Sequence, residues 1–124
     1  MSKVDMFLAI DGSRQGAISG ESVAAGHEGE MEIKSWSWGM SQQVHSASQL
    51  ASKASVRTLN IRKPVDSGST AIMSAIRTAE ILSKVVLVCR DSGGHSPIDS
   101  VRITLKRARV CDYEIHGSVD EGKL

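Results

Sequence analysis

Residues 26–40 read Gly26-His27-Glu28-Gly29-Glu30-Met31-Glu32-Ile33-Lys34-Ser35-Trp36-Ser37-Trp38-Gly39-Met40. Both tryptophans of the chain stand here, two residues apart. Two residues is the side-chain repeat of a β-strand, so Trp36 and Trp38 are expected on one face and Ser35, Ser37 and Gly39 on the other. The rest of the chain holds one Tyr and one Phe, so these two rings are expected to be packing residues that carry much of the core they join. The stretch also changes parity. Met31 and Ile33 place apolar groups on odd positions, whereas from Trp36 onward the even positions are apolar. A period of two does not change parity without a bulge, a change of environment or a second covered face.

Working outward, Val4 to Asp11 alternates with Met6, Leu8 and Ile10 on one face and reads as a first strand closed by the turn Asp11-Gly12-Ser13. Residues 13–29 and 41–54 are rich in Gly, Ser, Ala and Gln without a clear period, and read as two long connections. Connections of that length in a small domain usually have a function. Val56 to Lys63 is a further strand, with Leu59 and Ile61 on one face and Pro64 at its end. Asp66 to Thr70 offers helix N-cap residues. Ile72, Ala75, Ile76, Ala79 and Leu82 then recur at helical spacing, which predicts one amphipathic helix of three to four turns, with Ser74, Arg77, Thr78 and Glu80 on its polar side.

Val85 to Arg90 is apolar on both faces and reads as a central strand. Ser100 to Cys111 alternates as a longer strand whose parity shifts at Ala108 and Val110, the mark of a bulge, and residues 111–117 resemble the start of another strand. One helix among antiparallel-looking strands implies a mainly β fold: an antiparallel β-barrel or sandwich with one flanking α-helix. The 124 residues are expected to form a single domain.

Composition narrows function. A net charge of +1 is no electrostatic case for nucleic acid or an anionic membrane. Aromatics at 3% are too sparse for stacking platforms. No segment approaches the roughly 20 apolar residues of a membrane span, and residues 1–7 lack the apolar core of a secretory signal. The chain is therefore expected in the cytoplasm first, with any export by a route that reads no N-terminal signal. Cys89 and Cys111 lie in apolar runs and read as reduced core thiols, and no metal or other cofactor is expected. His27, His45, His95 and His116 stand near serines and acids, but no Gly-x-Ser-x-Gly elbow exists, so catalysis is not expected. His27 reads as a hydrogen-bonding loop anchor. Arg102, Lys106, Arg107 and Arg109 form a basic cluster, joined by Arg57, Arg62 and Lys63, and read as a solvated or intersubunit face balanced by acids.

Met6 to Gly12, Gly26 to Ile33 and the run Ser35-Trp36-Ser37-Trp38-Gly39 together resemble the haemolysin-coregulated proteins (Hcp), the tube subunits of type VI secretion. The later order of strand, capped helix and two strands fits the same family. The resemblance implies His27, Glu30, Trp36, Trp38 and Gly39 as the family motif. It implies a domain that assembles into a hexameric ring, and rings that stack into a hollow secreted tube able to carry or chaperone effector proteins. Spike protein, sheath and effectors are the implied partners. The family usually continues into a further strand region beyond the point where this chain stops. The 41–54 connection, with Gln42, His45, Gln49 and Lys53, is the candidate for reaching the next ring. A stand-alone effector-carrying ring and a phage-like tail-tube protein share this pattern; stacking into tubes separates them.

Overall fold

The segment Leu82–Asp91 (β10) is buried at Leu82 and at every residue from Val85 to Cys89. It can be buried on both faces because it lies inside a sheet, as its unbroken apolar run predicts. In the computed structural model, which describes residues 4–42, 44–45, 50–51, 54–91 and 98–117, β10 pairs antiparallel with Val4–Gly12 (β1) on one side and with Ile98–Ala108 (β11) on the other. Beyond β1 lie Gly16–Ala17 (β2) and Met31–Glu32 (β3), both antiparallel to it. The register sets two kinds of row across this sheet. Met31, Leu8, Leu87 and Ile103 form a row facing the core; Glu32, Phe7, Val88 and Arg102 form its neighbour on the opposite face.

The core face gathers Leu8, Ile10, Ile18, Met31, Ile33, Leu82, Val85 and Leu87 against Ile72 and Ala75 of the helix Ser69–Arg77 (α1). This helix is shorter than its periodicity predicts. Glu80 N–H donates to Ala75 O at 2.9 Å and Ala79 N–H to Ile76 O at 3.1 Å, the paired bonds of a Schellman ending. Ala79 takes the left-handed position of that motif at φ 52°. Leu82 therefore belongs to β10, and Glu80 is buried beyond the helix end. Its carboxylate accepts from the backbone N–H of Arg14 and of Gln15, each at 2.9 Å, and from Gln15 Nε2 at 2.9 Å. These donors close the β1–β2 turn around it. The Gln15 N–H first, then that of Arg14, hold its carboxyl below the usual glutamate range despite burial.

At its other end α1 is tied to the preceding segment. Asp66 Oδ1 accepts from Gly68 N–H and from Lys63 Nζ, both at 2.9 Å, and the two charged side chains are each only 9% exposed. Lys63 is thus a paired, buried cation and no part of a solvated basic face. Three further expectations differ from the structure. Arg107 at φ 56° resets the parity near the end of β11 without a register shift, and the bulge lies instead near Ser100, whose Oγ donates to Cys89 O at 3.2 Å. Residues 111–117 form no strand; Val110 and Tyr113 cover the core from an irregular segment. Cys89 is buried and Cys111 exposed, so only the first is a core thiol.

Candidate assembly surfaces

The tryptophan stretch is three short strands. Met31–Glu32 belongs to the central sheet, where Ile33 N–H still donates to Met6 O. At Lys34 the chain changes partner: its N–H donates to Arg62 O at 2.7 Å. Ser35–Ser37 (β4) then pairs with Asn60–Arg62 (β9), Met40–Ser41 (β5) with Ser55–Val56 (β8), and Val44–His45 (β6) with Leu50–Ala51 (β7). The parity change in the sequence is this change of partner. The described pieces between Ser35 and Arg62 form one long hairpin arm.

The arm has a root and an outer part. At the root, Trp36, Leu59 and Ile61 pack against the core, and Trp36 Nε1–H donates to Cys89 Sγ at 3.2 Å. Between the first two pairings, residues 38–39 oppose 57–59, so the returning strand carries one extra residue. Such a bulge bends a hairpin and increases its twist. Trp38 lies there, 38% exposed, with Nε1–H donating to Arg57 O at 2.8 Å, and Arg57 N–H donates to Gly39 O at 2.9 Å. Trp38 is therefore no core residue. The bend at this bulge gives it a different environment from Trp36. Further out, Met40 and Val56 face each other across the pairing at 61% and 60% exposure. An isolated two-stranded hairpin is marginal in water, and this one displays apolar side chains along its sides.

His27 and Glu30 sit in a second place, on the sheet face opposite the core. The His27 ring stacks on Phe7, with centroids 4.3 Å apart and planes 6° from parallel, and its Nδ1 is 2.9 Å from Glu30 Oε1. Arg90 adds a guanidinium 5.1 Å from the Phe7 centroid and donates from Nη1 to Ala25 O at 2.9 Å. Asp5 Oδ2 lies 3.9 Å from its Nη2. The loop 20–30 is further closed by Gly20 N–H to Gly29 O and Ser22 N–H to Glu30 O. Glu28 accepts at Oε1 from Gly26 N–H, and backbone N–H groups, its own first, hold its carboxyl below the usual range. These groups clamp a loop; among the described residues no three His, Cys, Asp or Glu side chains gather into a metal site.

A family model described as "Type VI secretion system effector, Hcp" matches residues 7–123. The chain belongs to the Hcp family.

Solved Hcp structures superpose on it. Hcp1 from Salmonella typhimurium is 29% identical with a TM-score of 0.76, over 93% of this chain and 71% of that one. A type VI secretion system effector from Yersinia pestis is 25% identical with a TM-score of 0.75, over 94% and 75%. Secreted protein Hcp3 from Pseudomonas aeruginosa, at 18% identity and a TM-score of 0.65 over 89% and 75%, shares the fold. No match was found among curated proteins. Hcp proteins are secreted structural proteins of type VI secretion, and this is the class to which the chain belongs.

Of the residues expected as the family motif, the structure joins His27 to Glu30, seats Trp36 on Cys89, and sets Trp38 and Gly39 on the arm. Of the proposed stacking residues, Gln42 and His45 lie on the arm, and Gln49 and Lys53 lie outside the described residues. A Cβ at Gly39 would meet the Arg57 side chain at an ordinary 3.5 Å, so nothing inside one copy requires glycine there. Phe7 and Arg90 were missed as partners of His27. The available signal was that Phe7 breaks the alternation of β1 by making both its faces apolar.

Proposed function

We propose that the chain is a structural subunit of the type VI secretion inner tube: hexameric rings of it stack into a hollow tube that is secreted and can carry or chaperone effector proteins in its lumen. The arm supports this most directly. It carries Met40 and Val56 out of the fold at 61% and 60% exposure. A second copy, stacked on the first, is the occupant a tube provides. The spike and sheath proteins are the partners such a tube requires at its tip and around its wall. Catalysis has no part in this role.

Light scattering followed by negative-stain microscopy tests it. Rings that elongate into tubes on concentration are the expected result, and a chain that stays monomeric at all concentrations overturns it. Single rings that hold cargo but never stack would favour a stand-alone carrier. Met40→Asp with Val56→Asp is expected to stop stacking and leave rings whole.

A further inference from the structure

Two charge runs of opposite sign lie at opposite edges of the described sheet. From residue 15 to 33 there are four carboxylates, Glu21, Glu28, Glu30 and Glu32, and no Lys or Arg. From 100 to 111 there are four cations, Arg102, Lys106, Arg107 and Arg109, and no acid. The first group lies on β3 and the loop before it, at one edge; the second lies on and just past β11, at the other. Glu32 and Arg102 end the same cross-strand row, Glu32–Phe7–Val88–Arg102, so they share the face opposite the core.

The four cations have no carboxylate within 4.0 Å among the described residues. Lys106 stands directly opposite Lys84, an arrangement that weakens a strand pair unless an anion from outside joins it. Glu32 is exposed beside Glu21 and Asp66 at a shallow hollow of about 210 Å³, with Val65 and Pro64 as its apolar wall. A lysine or arginine with its apolar stem suits that lining. Lysine on an outer strand also discourages backbone pairing there, which favours contact through side chains.

We propose that neighbouring copies in the ring meet head to tail through these edges, with Arg102 and Lys106 of one copy set against Glu21 and Glu32 of the next. A contact between two different patches of the same chain is the kind that closes rings. Opposite edges of one sheet supply the two patches. This inference rests on the ring-forming role proposed above and adds which surfaces make the ring.

Two double variants test it. Glu21→Lys/Glu32→Lys makes both edges basic, and Arg102→Glu/Lys106→Glu makes both acidic. Each alone is expected to remain folded by circular dichroism and to raise the concentration for half-assembly at least about tenfold. Mixed in equal amounts they are expected to restore rings in which the variants alternate. Native mass spectrometry reads the composition. Wild-type rings should also loosen as salt rises. Intact rings in either variant alone, or no rings in the mixture, would overturn the edge assignment while leaving the tube role standing. A monomeric wild type would overturn both. Steeply salt-dependent binding of a DNA duplex to wild type, lost in the Arg102→Glu/Lys106→Glu variant and unopposed by rings, would assign the basic edge to nucleic acid and overturn the proposal.

Discussion

The central sheet and the hairpin arm use the same local chemistry, antiparallel pairing, toward opposite ends. In the sheet, β10 is covered on both sides and both faces, and Leu87 has no exposed surface. In the arm beyond Gly39, the strand pieces β5 and β8 are exposed throughout. The sheet derives its stability from burial within one copy. The arm has backbone pairing, the Trp38 bond to Arg57 O and a root at Trp36, Leu59 and Ile61. Stability and assembly should therefore respond to different residues.

The largest separation is expected from equal truncations in the two regions. Leu87→Ala removes a fully buried side chain and should cost about 3–5 kcal/mol in urea unfolding. Loss of less than about 1 kcal/mol would mean that the core is looser than its burial implies. Within the motif the contrast narrows. Trp36→Ala should cost about 2–3 kcal/mol, because the ring is half buried and its N–H bond to Cys89 is lost, and Trp38→Ala about 1 kcal/mol or less. Equal melting points for the two variants would erase the division between root and outer arm.

Acid should reach the sheet side through Glu80. Its carboxyl is held below the ordinary range in the fold, by the Gln15 N–H above all, so it binds a proton less readily folded than unfolded. Its contribution is complete above the ordinary glutamate range and is lost as the pH falls through that range toward the lowered folded value. Glu80→Gln is thus expected to lower stability at neutral pH and to flatten the acid limb of the stability curve. Parallel pH profiles of variant and wild type would remove Glu80 from the acid response. The smallest change in stability belongs to Met40→Ala, within about 0.5 kcal/mol. Stacking of rings, followed by sedimentation, should nevertheless weaken; unaltered stacking would free Met40 from that contact.

Legibility in the sequence followed burial. Met6-Leu8-Ile10 and Val85 to Cys89 were readable because a sheet with a covered face forces alternation, and two covered faces force a continuous apolar run. The start of α1 was readable from Asp66 and the apolar spacing. Its end was not, because Ala79 occupies a left-handed position for which glycine is the usual signal. Glu80 looked like one more polar helix residue, since its donors come from the distant turn at Arg14 and Gln15. The arm looked like a loop because β5 and β8 are exposed on both faces and so impose no two-residue pattern.

The sequence alone determined the β class with its single helix, the central strand and, through residues 6–12 and 26–39, the family. Those depend on local periodicity and on short runs of adjacent residues. Only the tertiary structure decided which partner each strand took. The bulge that sets residues 38–39 against 57–59 divides the tryptophans, and the order β11-β10-β1-β3 places Arg102 and Glu32 at opposite edges of one face. Pairings between residues tens of positions apart leave no periodic trace in the chain, because each is selected by the packing of the whole sheet.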